Sequence, residues 1–239
     1  ALGASLILGI ELSENFNRPF SSHSISEFWR RWHISVSTWF RDYVYLQLAS
    51  AKEKTYVRRY VAPSITFLIS GLWHGAMWEF VAFGFINATM RVSETATTGV
   101  RERAWSVIDT LKMPRLSGAL QIVLTFCLMA SALVFFGAPS IGDAWFVLTH
   151  IASGFGRLLD LSYVRDQLLT TTSIGVSAFT LASIIIAIVA MEIVQYFAAR
   201  GHSLETYSGP VRWTAYAAVL AAIVLFGNFA PLPFIYFRF

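Results

Sequence analysis

The sequence predicts an all-α protein: a polytopic transmembrane helix bundle with interfacial and re-entrant or bent helices, forming one membrane domain over residues 1–239. Three observations carry this expectation. The chain is 56% hydrophobic and only 13% charged, whereas an ordinary soluble domain carries about 25% charged residues. That is too little charge to cover a globular surface, so lipid is the expected solvent. Residues 116–142, 167–191 and 213–237 hold no charged side chain, and each run exceeds the roughly 20 residues a helix needs to cross the hydrocarbon core. The net charge of +4 is gathered in basic patches between apolar runs. Such patches fit helix ends at a cytoplasmic membrane face rather than a nucleic-acid surface.

The elements follow in order. The opening run "ALGASLILGI" is about half a membrane crossing. With no initiator methionine, basic n-region or cleavage site ahead of it, it reads as part of a helix, with earlier helices missing. The polar stretch "SENFNRPFSSHS" follows, with Asn17 and Pro19 as breakers. Ser24 and Glu27 form a capping box for a helix over residues 25–48. Phe28, Trp32, Val36, Trp39 and Tyr43 recur there at three- and four-residue spacing. Glu27 can pair with Arg31 one turn on. Its Trp, Tyr and Arg content suits a helix lying in the membrane interface rather than spanning.

Lys52, Lys54, Arg58 and Arg59 then precede the apolar run 60–78, which contains His74. Two half-helices are expected to meet near Gly71 and Gly75. Arg91, Arg101, Arg103, Lys112 and Arg115 follow, so both flanks are basic. A single crossing would leave one basic flank outside, against the positive-inside rule. A re-entrant or strongly bent element over residues 60–90 resolves the conflict. Three spanning helices close the chain, the first two joined through a short interfacial helix and loop over residues 142–166, and the last ending near Pro231.

His74 stands out chemically. An ionisable residue inside a membrane segment is a functional hypothesis by default, and an imidazole can take and return a proton near neutral pH. Gly71 and Gly75 allow close backbone approach, and Trp73 and Trp78 can wall the site against water. The plainer alternative is a packing histidine bonded to a neighbouring carbonyl. His33 shares a helical stripe with Trp29 and Ser37 and can converge with His74 on one cavity; its plainer alternative is an interfacial histidine facing headgroups. His23, His150 and His202 read as solvated. Glu79 lies about 140° from His74 around an ideal helix, so the two share a face only if the helix breaks between them. No metal-ligand spacing and no phosphate-cradling glycine loop is present. The single Cys127 rules out an internal disulfide.

Taken together and in order, the Asn-Arg-Pro turn, the block "FWRRWH", the tripeptide "RDY" and the block "GLWHG" resemble the membrane-bound O-acyltransferase (MBOAT) family. Within it they are most similar to the branch of alginate O-acetyltransferase membrane subunits, with teichoic-acid D-alanyltransferase subunits as cousins. The terminal "PFIYFRF" is also similar to that branch. The resemblance runs over nearly the whole chain and corresponds to about the C-terminal half of such proteins. The stretch after "RDY" departs from the branch in lacking its Pro-Gly turn. The resemblance implies that His74 is catalytic and His33 a second functional histidine. It implies a multi-pass protein of the cell (inner) membrane and transfer of an acyl, specifically acetyl, group from a cytoplasmic thioester to a hydroxyl of an extracellular polysaccharide or a relay protein. The thioester, acetyl-CoA or an acyl carrier, is a substrate, and no tightly bound cofactor is expected. Trp73, Trp78, Arg30, Arg31 and Arg41 are the candidate substrate-binding residues, the arginines facing an acidic donor or carrier. Expected partners are membrane lipid, an extracytoplasmic acetyl-relay or polysaccharide-modifying protein and an acyl-carrier protein, with no nucleic acid. The alternatives are D-alanyl transfer to teichoic acid and a non-catalytic transport or structural membrane module.

Overall fold

The structure is a computed structural model that describes residues 2–49, 55–110, 113–151 and 207–226, with isolated positions between 153 and 196. The chain divides into two compact units, Ala1–Ile151 and Ala152–Phe239. All regular structure among the described residues is helical.

The first unit begins with a short helix, α1 (Leu2–Ile7), and a tight turn at Pro19–Ser21. Helices α2 (Ile25–Arg31) and α3 (Ile34–Phe40) follow. A wide helical turn at Arg41–Tyr45 carries α3 into α4 (Leu46–Ala49). A second wide turn at Val57–Val61 leads into α5 (Ala62–His74). Pro63 sits in its first turn, directly after that wide turn. Next come α6 (Trp78–Ala96), α7 (Thr98–Thr110), α8 (Pro114–Gly137) and α9 (Ile141–His150). In the second unit α10 spans Gly209–Phe226.

The single amphipathic helix expected over residues 25–48 is broken, which corrects that reading. Trp32 is extended, and His33 is left-handed with φ 45° and ψ 54°. The preceding turn takes up the broken ends. The Asn17 N–H donates to the Arg31 carbonyl at 2.9 Å, and the Ile34 N–H donates to the Asn15 carbonyl at 2.9 Å. The Asn15 side-chain oxygen accepts from the Ser35 N–H at 3.0 Å and from the Ser35 hydroxyl at 2.6 Å. Asn15 therefore caps α3 from a distant part of the chain, supplying what a local N-cap side chain would otherwise supply.

The capping box at α2 is half formed. Ser24 Oγ accepts from the Glu27 N–H at 3.1 Å, but the Glu27 carboxylate turns to the His23 N–H at 2.8 Å and to the Arg31 guanidinium. Phe28, Ile25 and Met129 form the fully buried core, with Phe20, Trp29, Trp32, Met90 and Leu128 against it. Helices α2, α6 and α8 thus meet at one apolar centre.

The 60–78 run is bent, and its break falls at Gly75 rather than near Gly71. Helix α5 runs through Gly71 to His74, and α6 starts at Trp78. The two helices pack closely as a hairpin. A Cβ on Gly71 would collide with the Phe80 carbonyl and lie 3.1 Å from the Gly84 Cα; one on Gly84 would lie 2.6 Å from the Phe67 carbonyl. Only residues without side chains allow this approach. Because the helix breaks between them, the ideal-helix angle separating His74 from Glu79 does not apply.

Among the described residues one helix, α8 (Pro114–Gly137), is long and apolar enough to cross a membrane, with mean hydropathy 2.3. The expected span 116–142 thus starts two residues earlier and stops at Gly137, before Ala138 and Pro139. The short helix expected after it is α9, capped by Ser140 Oγ, which accepts from the Asp143 N–H at 3.0 Å. The expected span 167–191 lies outside the described residues apart from positions 188 and 189. Lys52, Lys54, Lys112, His202 and the segment around Pro231 also lie outside them. Within the last expected span, residues 213–226 belong to α10, which begins at Gly209, and residues 227–237 lie outside the described residues.

Candidate active site

His74 is the last residue of α5, held at the tip of the α5–α6 hairpin. Gly75 follows with φ 154° and ψ 161°, a conformation essentially restricted to glycine. A Cβ there would also lie 2.7 Å from the Phe80 ring. The chain therefore reverses immediately after the imidazole without any side chain in the way.

The half-buried His74 ring is enclosed by aromatics. Trp73 and Phe136 each approach edge-on at 4.9 Å, with Phe80 at 6.2 Å and Phe83 at 6.3 Å. Phe136 packs in turn on Phe80 and Phe83, both at 5.3 Å. Helices α5, α6 and the last turn of α8 thus build one box around one imidazole. Such walls exclude water and strengthen any electrostatic interaction inside them.

The break at Trp32 turns His33 toward the same region. The two imidazoles lie close enough for the charge on one to act on the other. Phe16 stands 6.0 Å from the His33 ring and 5.0 Å from Trp32. Burial holds the His33 imidazole below the ordinary histidine value. His33 is therefore neutral at pH 7, with one ring nitrogen able to donate and the other to accept.

Two buried polar atoms near this region, His33 Nδ1 and Trp29 Nε1, have no hydrogen-bond partner among the described residues. Trp29 packs on Phe67 at 5.2 Å and on Phe83 at 6.4 Å, so it shares a wall with His74. Orphaned buried groups of this kind are rare, and they fit a site that receives a polar ligand or water.

The other sequence candidates separate from this pair. Trp78 is 73% exposed at the start of α6, so the far wall is made by phenylalanines and not by that tryptophan. Arg31 is tied to the Glu27 carboxylate and donates to the Arg18 carbonyl at 3.3 Å. Arg41 pairs with its neighbour Asp42 at 2.7 Å on the surface. Arg30 is exposed. His23 lies 3.4 Å from Glu27, and His150 stacks on Phe146 at 4.1 Å. No group of three His, Cys, Asp or Glu side chains among the described residues is placed to hold a metal ion.

Sequence reasoning missed Phe16, Phe80, Phe83 and Phe136 as site walls, and Asn15 as the residue that fixes His33. Phe136 lies in an apolar run where nothing distinguishes it from lipid-facing neighbours. Asn15 carried a weak signal, a short polar side chain in a turn ahead of a helix.

The sequence profile of the membrane-bound O-acyltransferase family matches residues 1–137. The chain is 37% identical to a probable alginate O-acetylase, AlgI, of Azotobacter vinelandii over 79% of its own length and 34% of the relative. It is 33% identical to a teichoic acid D-alanyltransferase of Streptococcus thermophilus over 61% of the chain and 38% of that protein. Along its whole length it is 29% identical to a peptidoglycan O-acetyltransferase of Helicobacter pylori, covering 45% of it. The chain thus spans about a third of the length of the alginate relative it matches. Both histidines, the box around His74 and the turn that orients His33 fall inside the matched residues, and the chain belongs to the membrane-bound O-acyltransferase family.

Proposed function

We propose that the protein is an O-acyltransferase, or the histidine-bearing part of one, that moves an acetyl group from a cytoplasmic thioester to a hydroxyl of an extracellular polysaccharide or relay protein. The observation that carries this reading is the His74 imidazole held at the tip of the α5–α6 hairpin and boxed by Trp73, Phe80, Phe83 and Phe136, with His33 on a separate element close enough to act on its charge.

His74 takes the proton of the acceptor hydroxyl as its oxygen attacks the thioester carbonyl carbon. A C–O bond forms and the carbonyl electrons move to oxygen. The C–S bond then breaks, the ester departs, and the thiolate recovers a proton from the imidazolium. General base catalysis of this kind contributes typically 10²–10⁴-fold. Neutral His33 donates from one ring nitrogen to the developing oxyanion, or positions a substrate beside it. Trp73 lines the pocket edge. Arg30, with no ion pair among the described residues, is the one of Arg30, Arg31 and Arg41 most available to an acidic donor or carrier.

The wider architecture is proposed on the same footing: a multi-pass protein of the inner membrane, with α8 as one span and the α5–α6 hairpin entering the bilayer between its basic flanks. Among acyl groups, acetyl is favoured over D-alanyl because the Azotobacter alginate O-acetylase matches 79% of the chain at 37% identity, against 61% at 33% for the Streptococcus D-alanyltransferase. An acyl-carrier protein on the cytoplasmic side and a relay protein outside are the partners this chemistry calls for.

The test uses the full-length protein in its native membrane. Acyl content of the cell-surface polymer is measured for wild type and His74→Ala, with protein level read by immunoblot and the released acyl group identified by mass. Loss of acylation at unchanged protein level supports the reading. Unchanged acylation returns His74 to a packing role and overturns it.

A further inference from the structure

A second polar site lies at the far end of α6, away from the histidines. Glu94 is 8% exposed and accepts from the Ile25 N–H at 2.7 Å, from the Ser26 N–H at 3.1 Å and from the Ser26 hydroxyl. Its carboxylate thereby fixes the start of α2, and its oxygens are already occupied by short bonds. Arg91 and Arg101 stand further off, at 3.6 and 3.9 Å. They neutralise the carboxylate without being consumed by it. Arg101 donates one bond to the Glu94 carbonyl at 3.1 Å, while its Nε is buried and finds no acceptor among the described residues.

A cleft of about 400 Å³ opens beside this group, lined by Ser24, Ser26, Arg59, Arg91, Glu94 and Arg101, with Thr95 and Thr98. Arg59 reaches it from the turn before α5, is exposed, and makes no ion pair among the described residues. Three guanidinium groups face one carboxylate, so the cleft carries two positive charges in excess. Guanidinium forks match the oxygen geometry of phosphate.

We infer that this cleft binds a phosphate group, held by Arg59, Arg91 and Arg101 and positioned by the Glu94 bridge to α2. The group is either the headgroup of an anionic phospholipid or a phosphate ligand delivered from solution. The site stands independently of the acyl-transfer reading. Through Glu94 and α2 its occupancy bears on the same short helix that ends at the Trp32–His33 break.

The test uses the full-length protein in phosphatidylcholine nanodiscs. Native mass spectrometry counts added phosphatidylglycerol retained by the protein, and phosphorus NMR line width reads binding of inorganic phosphate. Arg59 is the residue to change, because its side chain makes no hydrogen bond or ion pair among the described residues that its loss would break. Arg59→Gln is expected to weaken the responding probe about tenfold, the loss of one charge-assisted hydrogen bond. Arg59→Lys keeps the charge and is expected to weaken it by less than about threefold. Arg103→Gln, two residues beyond Arg101 and outside the cleft, leaves binding unchanged. A response to phosphatidylglycerol alone identifies a lipid headgroup, and a response to inorganic phosphate identifies a ligand from solution. If wild type retains neither probe, or Arg59→Gln binds like wild type, the inference is wrong.

Discussion

Helix α6 meets the rest of its unit through opposite chemistry at its two ends. Near its start, Phe80 and Phe83 press on Gly75, His74 and Phe136, so the contact is aromatic and holds one titratable ring. Near its far end Glu94 is buried and ties α6 to α2 through three hydrogen bonds, with two arginines behind it. The first contact places an imidazole and depends on shape. The second depends on polar satisfaction, because a buried carboxylate is tolerated only when its lone pairs are met. The two are joined by α2, which starts at Glu94 and ends beside His33. A polar anchor at one end therefore sets the position of a catalytic candidate at the other.

Substitutions at each end should separate these roles. The largest effect is expected at the aromatic end, where His74→Ala lowers acyl transfer by about 10²–10⁴-fold at unchanged protein level, the worth of a general base. Glu94→Ala should act on stability instead. It strands the Ile25 and Ser26 N–H groups and lowers unfolding free energy by about 3 kcal/mol, seen as a lower thermal midpoint in detergent. The two partly exposed arginines, at 3.6 and 3.9 Å, add little to that figure. If Glu94→Ala left stability intact but abolished transfer, the division of labour would be reversed.

Gly71→Val tests the hairpin itself. Its Cβ meets the Phe80 carbonyl, so the helices must part, at about 2 kcal/mol of stability. His33→Gly sharpens the comparison further. Left-handed backbone at a non-glycine residue costs about 1 kcal/mol or more, so this variant should hold or gain stability while transfer falls at least about tenfold. A residue that is less stable than glycine at its own position yet needed for turnover is there for its imidazole.

The smallest effect is the pH dependence of stability. Burial holds His33 below its ordinary value of 6.5 in the folded protein. The unfolded chain therefore binds a proton that the folded one refuses, so the His33 contribution is complete above about pH 6.5 and declines as pH falls from there toward the lowered folded value. Thermal midpoints measured across pH 5 to 8 should show a shallower slope in His33→Gly than in wild type.

Part of the molecule was legible in its residues. The apolar run containing α8, the short helix after it, the Glu27–Arg31 pair and the bend in the 60–78 segment all follow from local composition and spacing. The histidines were legible too, because polar groups in apolar surroundings are conspicuous. The break at Trp32 and His33 was not legible. Residues 25–48 keep a clean helical period across it, and the groups that stabilise the break belong to Asn15 and Asn17. Nor was the role of Glu94, which in sequence looks like one more charge on a helix already carrying Arg91 and followed by Arg101.

Local composition and spacing were enough for the helical class of the described residues, the apolar length of α8 and the choice of candidate histidines. These are matters of hydrophobic burial and short-range periodicity, and each is written within a few turns of chain. That His33 leaves its helix on the side of His74, that Phe136 closes the box and that Glu94 holds the start of α2 follows from long-range contacts alone. Those outcomes rest on hydrogen bonds and ring contacts between residues far apart in the chain, where no local pattern records which donor will meet which acceptor.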